Sequence, residues 1–251
     1  MDFKLNDIAI YDGTINSIRN NLMDLISGNF INQIITLNLD FLRISTLDEE
    51  FKKICMDAAL VVPDGVGVTS LLGRKYRKHF QRITGNDLLI ELLNLSNTRQ
   101  LRYAFVGASK EVQRKMSEKI KRDYPLIENT LFISPENNFE QDNQKNNLII
   151  EKLTLFNPDI LIVALGCPRQ EKWIFNNKDK IKAKINIGVG AAFDFYSGII
   201  KRAPLLIQKV KFEWLWRMLI EPKRLLKRYI IDDMPFYILT LTNLIFRQKK
   251  I

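Results

Sequence analysis

N-P-D-I-L-I-V-A-L-G-C-P-R-Q-E-K-W, residues 157–173, contains the pattern from which the fold class follows. Residues 160–165 form an apolar run too short for a helix and rich in β-branched residues, which predicts a buried strand. Gly166 ends the run, and Pro168 suits the first turn of a helix. Residues 169–172 then place polar groups at the carboxyl end of a core strand, where open α/β sheets bind ligands. A solvated helix start is the alternative explanation of those polar residues.

The rest of the chain alternates predicted strands with helical stretches. Strands are predicted at 33–37, 58–62, 103–106, 130–133, 160–165 and 185–189. Helices are predicted at 15–27, 47–56 and 88–95, then up to Arg122, with a polar loop at 137–147. This alternation predicts an α/β fold in which helices cover both faces of a parallel sheet. Residues 1–198 are predicted to form one domain, and residues 199–251 a helical appendage.

The composition limits the class of protein. A chain of 251 residues with 46% hydrophobic content is large enough for one α/β domain and is not disordered. Two distant cysteines, Cys55 and Cys167, and one histidine, His79, cannot build a zinc site, and they suggest a reducing, cytoplasmic setting. The N-terminus lacks a signal-peptide core, and no apolar run approaches the roughly 20 residues that span a bilayer.

The positive charge is concentrated near the C-terminus. The chain carries a net charge of +10, and residues 201–251 hold 12 Lys and Arg against 4 Asp and Glu. Such a segment attracts polyanions, which include nucleic acid, phosphorylated substrates and anionic lipid. Its helices at 204–220 and from Lys223 combine aromatic and basic residues, which suits the surface of a membrane. A helix pair that packs only on the core is the alternative.

Four predicted strand ends bring polar side chains to one edge of the sheet. In P-D-G, glycines near Asp64 allow backbone to approach a ligand. Asp64 alone is better explained as a turn residue, which is common in P-D-G, and Asp194 is likewise explained as a helix cap. G-V-G at 188–190 begins like a dinucleotide fingerprint, but Phe193 stands where its third glycine belongs. The candidates are Thr36 and Asn38, Asp64, Gln170 and Glu171, and Asp194.

The pattern favours arginines over a metal ion for neutralising a diphosphate. No D-x-D pair follows a strand, and Asp232-Asp233 is interpreted as a solvated helix cap. Cys167 has no histidine nearby in sequence, so a thiolate nucleophile is not expected. Arginines bind phosphate through bidentate hydrogen bonds. The candidates are Arg202, Arg217, Arg224 and Arg228.

Taken together, these segments resemble the WecG/TagA/CpsF glycosyltransferases, in the family's order and over nearly the whole chain. Each motif alone is weakly specific, whereas the ordered set is highly specific. The matching segments are T-L-N-L-D at 36–40, A-A-L-V-V-P-D-G-V-G-V at 58–68, R-I-T-G-N-D at 82–87, F-V-G at 105–107, L-G-C-P-R-Q-E-K-W at 165–173, G-V-G-A-A-F-D-F-Y-S-G at 188–198, K-R-A-P at 201–204 and E-W-L-W-R-M-L-I-E-P-K-R at 213–224.

The resemblance implies a Rossmann-like, inverting, metal-independent enzyme without a cofactor. It implies transfer of a sugar from a UDP-sugar to a polyprenyl-diphosphate-linked sugar at the inner face of the cell membrane. Asp64 would be the general base, and Asp194 would contact the nucleotide. Thr36, Asn38, Arg82 and Gln170 would line the sugar pocket, with Gly107 and Gly166 against the substrate. The appendage arginines would hold the diphosphate and, with the appendage, close the site.

Two other functions compete with this interpretation. A nucleic-acid-binding protein would use the basic C-terminal segment, but that segment contains no known recognition module. Another nucleotide-dependent enzyme, such as a dehydrogenase or methyltransferase, would use the same kind of sheet. The expected partners are therefore a UDP-sugar, a lipid-linked acceptor and a membrane surface, not nucleic acid. The donor sugar, the polymer and any homo-oligomer are left open by the sequence.

Overall fold

A six-stranded parallel sheet forms the centre of the molecule, as the sequence predicts. The computed structural model describes residues 3–201, 203–204 and 213–248. The sheet has the order β4-β3-β8-β7-β5-β6, and a two-stranded antiparallel hairpin, β1-β2, precedes it. The strands are β1 Phe3–Leu5, β2 Ile8–Ile10, β3 Asn32–Leu37, β4 Leu60–Pro63, β5 Tyr103–Gly107, β6 Thr130–Ile133, β7 Ile160–Ala164 and β8 Ile185–Gly188.

Helices cover both faces of this sheet. Along β7, Ile160 and Ile162 face a core cluster that contains helices α1, α5 and α6, whereas Leu161 and Val163 face a cluster with α7 and α8. Because both faces are buried, the strand is apolar without alternation. The helices of this part are α1 Ile15–Ser27, α2 Leu39–Ile44, α3 Glu49–Met56, α4 Val66–Tyr76, α5 Gly85–Asn94, α6 Lys110–Asp123, α7 Asn143–Phe156, α8 Arg169–Ile181 and α9 Ala192–Ser197.

The C-terminal helices pack against the sheet domain beside α2 and α4. They are α10 Glu213–Ile220, α11 Pro222–Leu226, a π-helical turn Lys227–Asp233 and α12 Met234–Gln248. The apolar residues Phe236, Tyr237, Leu241 and Leu244 pack on the core cluster that contains α3 and α4. The Tyr237 hydroxyl also lies 2.8 Å from Ser70 Oγ of α4. In the described part of the chain, no helix is both long and apolar enough to cross a bilayer.

Several boundaries differ from the prediction. The helix expected at 47–56 is α3, which begins at Glu49 because Asp48 caps it. A separate helix that was not predicted, α2, precedes it, with exposed Leu47 in the turn between them. The expected loop at 137–147 contains a 3₁₀ turn, Phe139–Gln141, and the start of α7. The helix expected from Pro204 begins, within the described residues, at Glu213, because residues 205–212 lie outside them.

Candidate active site

A cavity of about 720 Å³ opens at the carboxyl ends of β3, β4 and β8, beneath the C-terminal helices. Four residues expected from the sequence to bind or transform substrate line it: Asn38, Asp64, Arg82 and Arg228. The sheet domain also contributes Gly65, Thr84, Val189 and Ala191, and the C-terminal helices contribute Trp214, Tyr229, Asp233 and Tyr237. The cavity therefore combines one acidic group from a strand end with cationic and aromatic groups from both parts of the chain.

Asp64 is held at the end of β4 by its backbone. Its N–H donates to the Leu37 carbonyl at 2.8 Å, which extends the pairing of β3 and β4 by one residue. Gly65 follows as the N-cap residue of α4. Its φ of +112° is a backbone conformation that L side chains rarely adopt. Ile83 N–H donates to the Pro63 carbonyl at 3.0 Å, which brings the segment containing Arg82 alongside Asp64.

Asn38 caps helix α2 and contacts the C-terminal helices. Its Oδ1 accepts a hydrogen bond from Phe41 N–H at 3.1 Å, the usual role of an N-cap side chain. The same atom accepts from Arg228 Nη2 at 3.1 Å. Because both partners are donors, the orientation of the amide is determined. Oδ1 is thus engaged, and Nδ2 is left for a hydrogen-bond acceptor.

Four charged side chains lie next to Asn38. Arg228 Nε is 3.0 Å from Asp40 Oδ2, and Arg43 Nη2 donates to Asp40 Oδ1 at 2.7 Å. Asp233, only 4% exposed, lies 3.6 Å from Arg228 and 3.5 Å from Arg43. Burial raises the pKa of Asp233 to about 6, Asp40 adds to the rise, and the two arginines oppose it. The expectation that Asp233 is a solvated helix cap is therefore wrong.

Gln170 and Glu171 are buried between the ends of β7 and β8. Gln170 Oε1 accepts from Leu165 N–H at 3.3 Å, Gly166 N–H at 3.1 Å and Gly190 N–H at 3.2 Å. Gln170 Nε2 donates to Glu171 Oε1 at 2.6 Å. Desolvation raises the pKa of Glu171, which is 1% exposed, to about 7. Gln170 thus joins the two loops that flank the cavity.

A second hollow, of about 470 Å³, lies at the carboxyl ends of β5, β6 and β7. Gly107, expected to contact substrate, lines it together with Ser109, which caps α6. Arg169 also lines it and forms an ion pair with Glu140 at 2.6 Å. Because β7 and β8 are neighbours in the sheet, the loops joined by Gln170 separate this hollow from the larger cavity.

Comparison with known proteins identifies the family. The model of the glycosyl transferase WecG/TagA/CpsF family matches residues 3–250. The chain belongs to this family. One relative is the N-acetylglucosaminyldiphosphoundecaprenol N-acetyl-beta-D-mannosaminyltransferase of Bacillus subtilis (strain 168), 30% identical over 90% of this chain and 87% of its own. Proteins of the same name from Staphylococcus aureus strains MRSA252 and NCTC 8325 / PS 47 are 28% and 27% identical, over 76% of this chain and 73% of theirs. The resemblance inferred from the ordered motifs is confirmed, and the protein is a glycosyltransferase.

Besides Gly107, four expected site residues of the sheet domain of this glycosyltransferase are not among those lining the larger cavity. Thr36 is buried inside β3, two residues before Asn38. Gly166 lies in the loop that follows β7, with φ +83°, and Gln170 lies in the first turn of α8. Asp194 lies in α9, next to Ala192 and Phe195, which do line the cavity. Their contact with substrate remains a prediction.

Of the four appendage arginines expected to hold a diphosphate, Arg228 is the one whose side chain the structure describes. Arg202 lies outside the described residues, as do the side chains of Arg217 and Arg224 in α10 and α11. Arg228 lines the cavity, which fits the expected role.

Neither cysteine of this glycosyltransferase is a thiolate nucleophile, although Cys167 contacts Glu171 beside the site. Burial raises the pKa values of both thiols, that of Cys55 to about 12, so neither is a thiolate near neutral pH. His79 is exposed in the segment after α4. Among the described residues, no three His, Cys, Asp or Glu side chains converge in a way that could hold a metal ion.

Three features of the site were not predicted from the sequence: Asp40, Arg43 and the burial of Asp233. A usable signal existed for the first two, because a helix-capping Asn38 followed by Asp40 and Arg43 places an i,i+3 ion pair beside the cap. No comparable signal exists for Asp233, since its burial depends on contacts between α2 and the π-helical turn, which are distant in sequence.

Proposed function

We propose that this glycosyltransferase moves a hexose, of the N-acetylmannosamine type or related to it, from a UDP-sugar to a polyprenyl-diphosphate-linked sugar. Such a reaction belongs to the synthesis of cell-surface polysaccharide or teichoic acid. The names of the relatives support the acceptor class and the sugar transferred. The observation that carries the proposal is the shared cavity of Asp64, Asn38, Arg82 and Arg228, because it brings a base and diphosphate-binding groups together.

The two hollows suggest how the donor is bound. We place the nucleotide in the hollow lined by Gly107 and Ser109 and the sugar in the cavity with Asp64. The diphosphate would cross the loops joined by Gln170. Gly166 and Gly190 have positive φ there, and a Cβ on either would meet nothing within 4 Å, so open space borders both glycines. Thr36 and Gln170 would then support the sugar pocket from below its surface.

The reaction we propose is a single displacement with inversion. The acceptor hydroxyl oxygen attacks the anomeric carbon, and the bond from that carbon to the UDP oxygen breaks with its electron pair leaving on UDP. Asp64 accepts the hydroxyl proton, and such general-base assistance contributes roughly 10²–10⁴-fold. Arg82, Arg228 and the other appendage arginines would stabilise the charge that develops on diphosphate, in place of a metal ion. Closure by the appendage, residues 199–251, would exclude water from the donor.

An exposed apolar face supports attachment to a membrane. The C-terminal helices are apolar on the side packed against the core and on the opposite side, which faces solvent. A helix apolar all round belongs in an apolar environment on both sides. Exposed Lys223 and Lys227 lie beside this face, which suits an anionic bilayer surface. We propose that the protein is cytoplasmic and peripheral on the inner face of the cell membrane. The exposed residues of this face are Leu219, Ile220, Leu226, Ile231, Ile238, Leu239 and Phe246, whereas the exposed Ile230 and Met234 also line the cavity.

The test is a UDP-release assay across UDP-sugar donors with a short-chain lipid-diphosphate-sugar acceptor. Asp64→Asn should fold and bind UDP but lose at least 100-fold in turnover. Asp57→Asn is the matched control, because Asp57 is exposed and precedes the amino end of the same strand, β4. The anomeric configuration of the product, measured by NMR, reports inversion.

Three outcomes would overturn parts of this proposal. Near-normal turnover by Asp64→Asn would remove Asp64 from the role of base, and a retained anomeric configuration would exclude a single displacement. Thermal stabilisation by NAD or S-adenosylmethionine, but not by UDP, would favour a different nucleotide-dependent reaction.

A further inference from the structure

The charged cluster beside Asn38 joins two parts of the chain that are far apart in sequence. Asp40 and Arg43 come from the first two turns of α2, and Arg228 and Asp233 come from the π-helical turn. The four side chains carry two positive and two negative charges, and the carboxylates are the more buried partners. Solvent and salt screen buried charges only weakly, so the attraction between these four side chains stays strong. This attraction favours one arrangement of α2 against the π-helical turn.

The π-helical turn is what places Arg228 and Asp233 together. In an α-helix, residues five apart point about 140° away from each other. Here the Met234 N–H donates to the Tyr229 carbonyl, a hydrogen bond between residues five apart that widens the turn. Arg228 and Asp233 consequently face the same side, with Arg228 Nε 3.6 Å from Asp233 Oδ2. π-Helical turns of this kind are frequent at functional sites.

The cluster determines where the Arg228 guanidinium lies. Nε lies 3.0 Å from Asp40 Oδ2 and 3.6 Å from Asp233 Oδ2 without a hydrogen bond to either, and Nη2 donates to Asn38 Oδ1. Charge attraction to two carboxylates and this hydrogen bond together hold the guanidinium at the border of the cavity that also contains Asp64. The contact with Arg228 also keeps the Asn38 amide turned so that Nδ2 is its remaining donor, as described above.

We propose that Asp40 and Asp233 are positioning residues, which hold Arg228 and Asn38 in the geometry that receives the diphosphate-linked acceptor and fasten the C-terminal helices over the cavity. The inference rests on the proposed function, because it needs an acceptor that Arg228 binds. It gives a role in that function to two acidic residues, whose negative charge prevents them from binding a diphosphate directly. Their effect on the substrate is exerted through Arg228 and Asn38.

Kinetics of Asp233→Asn and Asp232→Asn test the proposal. The two variants remove the same charge from adjacent residues. Asp232 acts on Arg43 through its charge at longer range, but, unlike Asp233, it forms no ion pair within 4 Å among the described residues. We expect Asp233→Asn to lower kcat/KM for the lipid-linked acceptor at least 10-fold and to leave the Kd for UDP within twofold. Asp232→Asn should change both by less than twofold, and Asp40→Asn should resemble Asp233→Asn. Equal effects of Asp232→Asn and Asp233→Asn would overturn the proposal, as would an acceptor kcat/KM that Asp233→Asn leaves unchanged.

Hydrogen exchange gives a second result that does not depend on turnover. In Asp233→Asn, amides of α2 and of the π-helical turn should exchange at least 10-fold faster than in the wild type and in Asp232→Asn. If amide exchange in Asp233→Asn equalled that of the wild type, the proposal that Asp233 holds the C-terminal helices in place would be wrong. If the wild type transferred no sugar while this exchange difference was present, the proposed function would fail and the fastening would stand.

Discussion

Gln170 Nε2 donates to the buried Glu171 Oε1 at 2.6 Å, and this contact turns Gln170 Oε1 towards three backbone N–H groups. Those N–H groups belong to the loops after β7 and β8. The carboxylate therefore orients an amide, and the amide orients backbone beside the cavity. This explains why a glutamine and a glutamate occur together at the start of α8.

Gln170→Leu should lower both stability and nucleotide affinity. The leucine has a similar size but accepts no hydrogen bond, so up to three backbone N–H groups lose their partner, at about 1–3 kcal/mol for each that stays buried. We expect the free energy of unfolding to fall by at least about 2 kcal/mol, and the Kd for UDP to rise 10-fold or more. Chemical denaturation and calorimetry measure these changes. Gln144→Leu, at an exposed position of α7, is the control and should change neither quantity.

Glu171→Gln should raise stability in a pH-dependent way. The pKa of Glu171 in the folded protein, about 7, lies above its ordinary value of 4.5, so the folded state binds the proton more tightly. The wild type should therefore lose stability as the pH rises from about 4.5 to about 7. The glutamine stays neutral and still accepts from Gln170. Its advantage should grow across that range to at most roughly 3 kcal/mol.

Denaturant unfolding at pH 5, 6, 7 and 8 checks this sign. Glu128→Gln is the control, because Glu128 is exposed, and its stability relative to the wild type should not vary in the same way. An advantage of Glu171→Gln that shrinks as the pH rises would show that the carboxylate is stabilised in the fold.

Gly188→Ala should disturb the same pair from the neighbouring strand. A Cβ on Gly188 would lie 2.6 Å from both Gln170 Nε2 and Glu171 Oε1, inside the van der Waals limit. Overpacking of this kind lowers stability by about 1–3 kcal/mol, and here it also breaks the hydrogen bond between the two side chains. Gly198→Ala adds a methyl group in open space at φ +79°, so it should show only backbone strain, about 1 kcal/mol. Equal losses in the two variants would contradict the packing argument.

The sheet was predictable because each buried strand is a short apolar run that ends in glycine, proline or a polar residue. The sequence predicted the bounds of β6 and α1 to the residue, and placed the other sheet strands within two residues of their ends. Helix α4 was missed because glycines at 67 and 73 lower its helix propensity, and packing overrides that preference. The hairpin was missed although Asn6 and Asp7, both with positive φ, form a turn typical of that sequence.

The site was predictable where it depends on strand ends and unpredictable where it depends on packing between distant segments. Asp64 and Asn38 follow strands, so their place at one edge of the sheet follows from the parallel topology. Whether a side chain at that edge faces the cavity or the interior is decided by its neighbours. Gln170 is buried because three N–H groups surround its oxygen, which the sequence does not reveal.

Leu226→Glu combined with Leu239→Glu should abolish membrane binding while leaving the fold intact. Both leucines are exposed on the C-terminal helices and neither lines the cavity. The two introduced glutamates therefore remain in contact with solvent, and neither charge is buried in the fold. Each substitution would replace a leucine that inserts into the bilayer with a charged side chain that anionic lipid repels. We expect co-sedimentation with phosphatidylglycerol vesicles to fall at least 10-fold, and the melting temperature to stay within about 2 °C.

Leu155→Glu separates this effect from a general gain of negative charge. Leu155 is an even more exposed leucine on α7, away from the apolar face of the C-terminal helices, so its replacement should leave vesicle binding unchanged. Phosphatidylcholine vesicles test the contribution of Lys223 and Lys227, because neutral lipid retains the apolar attraction and lacks the electrostatic one. Wild-type binding that is equal on both lipids would assign the attachment to the apolar face alone. Unchanged binding by the double variant would show that the face is not the membrane contact.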